Sequence, residues 1–149
     1  MKIVNTARAI IIHEGKLLVF KLRPDDDWYS LPGGKMEVGE HIEDVLRREM
    51  IEETGIAPVI GKLLVIQDAI LPSHEVQLIE FFFEVKNATD YLDIDFSKTT
   101  HGYEVSEARF VASDDMSVKI LPVFLREVVA EINKVGSDNF QTRLLKGGE

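Results

Sequence analysis

The chain has 149 residues, of which 45% are apolar and 29% are charged, so its length and composition are those of one globular domain over residues 1–149. It has no cysteine, which excludes disulfides and thiolate metal sites. Its net charge of −9 disfavours a nucleic-acid polymer as a partner. No apolar run approaches the roughly 20 residues that span a bilayer, and the first eight residues lack the apolar core of a signal peptide. We therefore expect a cytoplasmic protein that does not associate with membranes.

A β-hairpin and a helix are predicted in the first third of the chain. Residues 7–12 are apolar and β-branched, His13-Glu14-Gly15 is typical of a turn, and residues 16–22 form the returning strand. After a loop rich in Pro, Asp and Gly, a helical period runs over residues 40–53. Gly55 suits the left-handed conformation that often follows the last helical turn, so we expect the helix to end there.

The rest of the chain predicts more strands and one further helix. The expected elements are an antiparallel strand pair, a polar surface loop, a short strand and a second helix, over residues 61–70 and 75–86, 87–103, 108–112 and 122–135. Residues 137–149 are compatible with a strand, a partner-contacting arm or a flexible tail. Because strands dominate and two helices must cover them, the sequence predicts an α+β layered domain.

The first helix has carboxylates on the face that should turn inward. At 3.6 residues per turn, the apolar stripe that begins at Ile42 continues into Glu49, Glu52 and Glu53. Glutamates at these spacings repel one another, and the helix dipole disfavours anions near a helix C-terminus. A solvated charge cluster is the ordinary alternative, but three like charges on an inward face require a compensating cation. Carboxylate oxygens suit Mg²⁺ or Mn²⁺, so we predict a divalent metal site.

The spacing of these residues resembles a complete Nudix box: Gly34, five residues, Glu40, seven residues, and then Arg48-Glu49-Met50-Ile51-Glu52-Glu53-Thr54-Gly55-Ile56. Two flanking segments also resemble the family, Leu31-Pro32-Gly33-Gly34 before the box and Glu107-Ala108-Arg109-Phe110 after it. The chain is therefore identified as a member of the Nudix hydrolase family. The resemblance implies the Nudix fold, a mixed β-sheet sandwiched between helices.

The resemblance also implies a reaction, the hydrolysis of a diphosphate linkage in a nucleoside diphosphate linked to another moiety. The implied catalytic residues are Arg48, Glu49, Glu52 and Glu53, and the implied structural residues of the motif are Gly34, Glu40 and Gly55. The three catalytic glutamates and the Gly33 carbonyl would hold Mg²⁺ or Mn²⁺, which would neutralise phosphate charge and activate the attacking water. Arg48 would orient a catalytic glutamate.

A glutamate outside the box completes the site in many members of the family, from the loop before a late strand. Here that loop contains Glu104 and Glu107, and we predict Glu104 as metal ligand or general base because it lies farther from the strand. Glu107 is expected to be fixed in a structural contact. A box glutamate, Glu49 or Glu53, is the alternative base.

Two cations and two aromatic residues flank the box. Lys21 and Arg23 end the strand that leads into it, and one of them is predicted to contact a substrate phosphate; exposed strand-end cations are the alternative. Trp28 and Tyr29 would either stack on a base or pack in the core.

The substrate is only partly constrained by the sequence. Pro72 lies 16 residues beyond the end of the box at Ile56, which resembles a marker of ADP-ribose pyrophosphatases. A nucleoside or deoxynucleoside triphosphate is an equal alternative. A nucleotide-binding sensor that does not hydrolyse its ligand is a third hypothesis, although such modules typically lose the box glutamates that this chain keeps. The family resemblance also allows a homodimer.

Overall fold

A computed structural model of the chain describes residues 1–148, and Glu149 lies outside the described part. The strands are β1 (Lys2–Ile10), β2 (Ile12–His13), β3 (Lys16–Lys21), β4 (Gly33–Lys35), β5 (Ile60–Leu71), β6 (Val76–Val85), β7 (Glu107–Ala112) and β8 (Arg143–Gly148). The α-helices are α1 (Ile42–Thr54) and α2 (Leu125–Val135). Neither helix is long and apolar enough to cross a membrane.

The strands form two sheets. Five strands form the larger sheet in the order β4-β1-β6-β5-β8, and three form the smaller one in the order β2-β3-β7. The pairs β1–β6 and β5–β8 are parallel, whereas β1–β4 and β5–β6 are antiparallel, as predicted for β5 and β6. The sheet is therefore mixed, and its parallel pairs bring together segments that are distant in sequence.

Each helix covers one side of the strands. The cluster under α1 includes Val45, Leu46 and Met50 together with alternate residues of β1 and β6, such as Ala7, Ala9 and Phe83. The cluster under α2 includes Leu125, Val128, Val129 and Ile132 together with residues from the opposite faces of the strands, such as Ile10 and Phe82. Successive side chains of a strand point to opposite faces of the sheet, so the same strands contribute residues to both cores. The predicted α+β class and the sheet sandwiched between helices are confirmed.

Several predicted boundaries are wrong. β1 begins at Lys2 rather than at residue 7, because its polar start pairs with β6. α2 begins at Leu125 rather than at residue 122, after a turn in which the Leu125 N–H bonds the Pro122 carbonyl at 3.2 Å.

Two segments are more ordered than the sequence indicated. Within residues 137–149, β8 forms a parallel edge strand on β5, so the strand alternative holds over Arg143–Gly148. The predicted polar loop over residues 87–103 contains 3₁₀ turns, and it buries Tyr91, whose hydroxyl donates to the Ile56 carbonyl at 3.0 Å.

Candidate active site

The ends of α1 fix the orientation of its acidic face. At the N-terminus the Asp44 carboxylate accepts a hydrogen bond from the His41 backbone N–H at 3.3 Å, although His41 is not a usual capping residue. At the C-terminus Gly55 has a φ of 75°, and its N–H donates to the Ile51 carbonyl at 2.8 Å. The left-handed cap predicted at Gly55 is confirmed, and Glu53 lies two residues before it, facing Gly33 of β4.

Glu53 is a buried carboxylate, with 5% of the residue exposed. Its Oε1 accepts a hydrogen bond from the Gly33 N–H at 3.1 Å. Its pKa is raised to about 8, chiefly by burial and then by the charge of Glu49, whereas the Gly33 hydrogen bond and the charge of Arg8 act in the opposite direction. No Lys, Arg or His of residues 1–148 is within 4.0 Å of this carboxylate. Glu53 is therefore suited to a cation from solution.

The two glycines before the helix leave room for this arrangement. A Cβ on Gly34 would lie 2.4 Å from the carboxylate carbon of Glu49, so any other residue there would displace that carboxylate. Gly33 has a φ of 135°, and a Cβ there would lie 2.0 Å from the Ala7 carbonyl oxygen. Burial raises the pKa of the Glu49 carboxyl, and the hydrogen bond from Arg48 partly offsets that shift.

Arg48 ties the glutamates of the site together. Its Nε and Nη2 donate to Glu40 at 2.8 and 3.0 Å, and Nη1 donates to Glu49 at 2.9 Å and to Glu52 at 3.4 Å. Nη2 also donates to the Lys35 carbonyl at 2.9 Å. The Glu40 hydrogen bond raises the pKa of Arg48 and lowers that of Glu40. Arg48 can therefore orient two of the predicted metal ligands, while Glu40 anchors Arg48.

The loop before β7 lies over the end of α1. The His101 Nδ1 is 3.0 Å from Glu52 Oε2, and the His101 N–H donates to the Glu52 carbonyl at 2.8 Å. Glu104 follows on an exposed 3₁₀ turn, and its charge contributes to the raised pKa of Glu53. The loop predicted to supply a further glutamate is thus close to the site, and the role of Glu104 as ligand or base stays a prediction.

The chemistry of the donors fits a hard divalent cation. The predicted ligands are three carboxylates and the Gly33 carbonyl. The charge of Glu49 raises the pKa of Glu53, the charge of Glu52 raises that of Glu49, and the buried Glu53 lacks a cation partner in the described chain. Within residues 1–148 no three acidic or histidine side chains converge on one point, because Glu52 turns toward His101 and Arg48. The metal-binding role of Glu49, Glu52, Glu53 and Gly33 therefore stays a prediction that the donor chemistry supports.

A cleft of about 520 Å³ is lined by Arg8, and the charge of Arg8 also acts to lower the pKa of the Glu49 and Glu53 carboxyls. Its walls are mostly apolar, from Leu22, Trp28, Leu31, Leu71, Leu78, Phe82, Leu121 and Pro122. The polar groups that reach it are Arg8, Ser30, His74 and Glu80. Apolar walls with a few polar groups are typical of a small-molecule site, and the half-buried Trp28 offers a flat ring to a planar ligand.

Neither Lys21 nor Arg23 lines this cleft, although Leu22 between them does. Lys21 Nζ lies 3.8 Å from Glu107 and 5.0 Å from the centre of the Tyr29 ring. The buried Tyr29 also donates its hydroxyl to Glu107 at 2.8 Å, which confirms the structural contact predicted for Glu107. Arg23 is exposed. The phosphate contact expected of Lys21 or Arg23 stays a prediction that no contact in the described chain supports.

Sequence reasoning missed a polar cluster beside the cleft. Glu80 is buried, and its Oε2 accepts from Thr6 Oγ1 at 2.8 Å and from Arg8 Nε at 3.1 Å. A sequence signal exists, because Arg8 and Glu80 each interrupt a short apolar stretch, over residues 7–12 and 78–83. The parallel pairing that places Thr6 opposite Glu80 could not be inferred from either run alone.

Comparison with known proteins agrees with the box and the fold. The chain matches the NUDIX domain family over residues 3–132, which is most of its length. The chain therefore belongs to the Nudix hydrolase family.

Individual relatives share shorter segments. The ADP-ribose pyrophosphatase of Methanocaldococcus jannaschii is 40% identical over 57 residues, which cover 37% of this chain and 34% of that protein. The 8-oxo-dGTP diphosphatase of Haemophilus influenzae is 36% identical over 90 residues, which cover 58% and 64%. The matched segments thus span less than two-thirds of these relatives.

Solved structures resemble the whole chain. A MutT protein from Methanosarcina mazei Go1 has a TM-score of 0.70 at 22% identity, covering 91% of this chain and 96% of that one. An ADP-ribose pyrophosphatase from Streptococcus suis has a TM-score of 0.63 at 23% identity, covering 95% and 98%. These similarities show that the fold is that of Nudix hydrolases.

Proposed function

We propose that this protein hydrolyses a diphosphate linkage in a nucleoside diphosphate linked to another moiety, with Mg²⁺ or Mn²⁺ as cofactor. The observation that carries the proposal is the pair of the buried Glu53 and its neighbour Glu49, which Arg8 connects to an apolar cleft of about 520 Å³ because it lines the cleft and its charge acts on both carboxyls. Carboxylates that suit a divalent cation, close to an apolar cleft, fit a substrate that joins a diphosphate to a planar base, because the cation would bind the diphosphate and the cleft would hold the base.

Each part of the site has a distinct task in this proposal. Glu49, Glu52, Glu53 and the Gly33 carbonyl hold the cation, which neutralises the diphosphate and activates the water. Arg48 keeps Glu49 and Glu52 oriented through its hydrogen bonds. The cleft holds the base and excludes water from it, with the Trp28 ring available for stacking.

The general base is a carboxylate with an oxygen that the cation does not use. Glu104 on the loop before β7 meets that condition because it is exposed and close enough to influence Glu53. A box glutamate bound to a cation is a weaker base, since the positive charge lowers its pKa. We therefore assign the base to Glu104, with Glu49 and Glu53 as the alternative.

The substrate class rests on the relatives and on Pro72. The matched relatives are named an ADP-ribose pyrophosphatase and an 8-oxo-dGTP diphosphatase, so both a sugar nucleotide and a nucleoside triphosphate are supported. Pro72 begins the 3₁₀ turn between β5 and β6, and the neighbouring Leu71 and His74 line the cleft. We favour ADP-ribose or a related sugar nucleotide. The proposal includes a cytoplasmic location, where such nucleotides are made and consumed.

A nucleotide panel tests the proposal. Initial rates are compared for ADP-ribose and the eight common nucleoside triphosphates, with Mg²⁺ and with excess EDTA, between pH 6 and about pH 9. We expect turnover that requires the cation, rises toward alkaline pH and is greatest in kcat/KM for ADP-ribose. Undiminished turnover in EDTA contradicts the metal role, and a clear preference for a triphosphate contradicts the substrate choice. Nucleotide binding without turnover of any panel member would identify a sensor instead.

A further inference from the structure

Arg8 is the cation in the second half of strand β1, between the buried Ala7 and Ala9, and it lies outside the Nudix box. In the antiparallel pair of β1 and β4 it stands directly opposite Gly33. Gly33 donates its N–H to Glu53, and the charge of Arg8 acts to lower the pKa of both Glu49 and Glu53, so Arg8 is near the predicted metal ligands. The same side chain lines the apolar cleft. Arg8 therefore lies at the junction between the acidic face of α1 and the cleft.

The guanidinium of Arg8 is held on two of its edges. Nε donates to Glu80 at 3.1 Å, and Nη1 donates to the Leu31 carbonyl at 3.3 Å. Glu80 is in turn fixed by Thr6, whose hydroxyl donates to the same carboxylate oxygen at 2.8 Å. No group of residues 1–148 accepts a hydrogen bond from Nη2. The side chain is 27% exposed, which leaves this last edge open to a ligand.

The free Nη2 group of the Arg8 guanidinium suits an anionic ligand. A guanidinium presents fixed, planar N–H donors that match phosphate oxygens and remain charged at any physiological pH. Two of its edges are already occupied, so little side-chain entropy is lost when the third binds. The chain as a whole carries a net charge of −9, and a phosphate needs local positive charge to approach it.

We propose that Arg8 binds the substrate phosphate next to the nucleoside through its Nη2 edge, and that Glu80 and Thr6 are positioning residues for it. The site would thereby select a phosphate joined to a group that fills the apolar cleft. This inference rests on the proposed function only in taking the anion to be part of a nucleotide.

Substitution of Arg8 should weaken nucleotide binding without weakening metal binding. Removing a hydrogen-bonded charge from an anion weakens its binding by about 10- to 100-fold. Removing a positive charge near Glu49 and Glu53 leaves binding of a divalent cation unchanged or makes it tighter. If Arg8 were only a structural partner of Glu80, its loss would leave a buried carboxylate unpaired and would weaken both ligands or neither.

The test compares Arg8→Gln with Arg8→Lys and with Arg47→Gln. Arg47 is an exposed residue on the outer face of α1, and its substitution changes the net charge by the same amount. Dissociation constants are measured by calorimetry for Mn²⁺ alone and for ADP in the presence of Mg²⁺, and KM and kcat are measured on the best substrate of the panel.

For Arg8→Gln we expect a rise of about 10- to 100-fold in the ADP dissociation constant and in KM, with Mn²⁺ affinity maintained or increased. Arg8→Lys should recover part of the ADP affinity, because it keeps the charge and loses the planar edge. Arg47→Gln should stay within about twofold of the wild type for both ligands. Unchanged ADP binding in Arg8→Gln, or a joint loss of ADP and Mn²⁺ binding, would overturn the inference.

Glu80→Gln tests the positioning role. Removing a negative charge near an anion should by itself strengthen nucleotide binding, so a several-fold rise in KM with kcat retained would come from a misplaced Arg8. Unchanged or tighter binding would remove Glu80 from the inference.

The inference and the proposed function can fail separately. If the wild type hydrolyses no nucleotide but its ADP binding depends on Arg8, the inference stands and the hydrolase proposal fails. If the wild type hydrolyses a nucleotide and Arg8→Gln has the same KM, the inference alone fails.

Discussion

Helices α1 and α2 cover opposite sides of the same strands, but they bury different chemistry. The inward face of α2 is wholly apolar, and a basic residue, Lys134, lies in its last turn, where a positive charge complements the helix dipole. The inward face of α1 is apolar only at first and ends in the buried Glu53, and its last turn has no basic residue. Both helices thus cover the strands with apolar side chains. Only α1 also has charged groups whose burial and mutual repulsion are unfavourable and which packing does not require.

The difference indicates that the glutamates of α1 lower the stability of the protein and are retained for another role. Burial of a carboxylate without a cation partner is unfavourable, and nearby like charges increase the cost. We therefore expect substitutions of the α1 glutamates to separate activity from stability, and substitutions in α2 to affect stability alone.

The largest expected effect comes from Glu53→Gln and Glu52→Gln. Each removes a predicted metal ligand, so kcat should fall about 100-fold or more. The melting temperature without metal should hold or rise, because like-charge repulsion on α1 is reduced. Glu43→Gln, on an exposed position in the first turn, is the matched control and should keep kcat within about twofold. A sharp drop in melting temperature with retained turnover would assign these glutamates to structure.

Leu125→Ala is the corresponding change in α2. Leu125 is completely buried, so its truncation should lower the free energy of unfolding by about 2–5 kcal/mol. Turnover of the folded protein at low temperature should remain within about twofold of the wild type. Val123→Ala, at an exposed position, should alter stability by less than about 0.5 kcal/mol. Urea unfolding measures the stability of both variants, and initial rates measure their turnover. A large loss of turnover in folded Leu125→Ala would show that α2 also contributes to activity.

The stability of the metal-free protein should depend on pH through Glu53. Its pKa of about 8 in the folded protein lies above the ordinary 4.5, so between these values the folded state binds this proton more tightly than the unfolded state. Stability should therefore fall as pH rises from about 5 to 8, by about 1–4 kcal/mol from this group. Unfolding curves in EDTA should show that the free energy of unfolding of Glu53→Gln rises relative to that of the wild type across this pH range. Parallel pH profiles would contradict the assignment.

The smallest expected effect separates the two glutamates near β7. Glu104→Gln should lower kcat about 10-fold and alter the alkaline part of the pH–rate profile, since it removes the assigned base. Glu107→Gln should change stability more than kcat, because Glu107 is bonded to Tyr29 and Lys21. If Glu104→Gln keeps the wild-type kcat, metal affinity and pH profile, the base must be Glu49 or Glu53.

The sequence predicted what depends on residues close together in the chain. The helical period located α1, its stripe placed Glu53 on the inward face, and Gly55 marked its end, because 3.6-residue geometry is local. The antiparallel β5–β6 pair was also predictable, since a short turn joins the two strands.

What depends on distant pairing was not predictable. The parallel register of β1 and β6 places Thr6 opposite Glu80 across 74 positions of sequence, and only that pairing creates the cluster around Arg8. β8 likewise becomes a strand through β5. The ion pair of Lys21 with Glu107 depends on the pairing of β3 with β7.

Calorimetric titration with Mn²⁺ measures whether the carboxylates on the inward face of α1 bind the cation. At pH 7 the metal-free Glu53 should be mostly protonated, so Mn²⁺ binding to the wild type should release about one proton, measured in two buffers of different ionisation enthalpy. Glu53→Gln should bind Mn²⁺ more weakly and release no proton. Equal Mn²⁺ affinity and equal proton release in the two proteins would contradict the account, because the inward face of α1 would then not be the metal site.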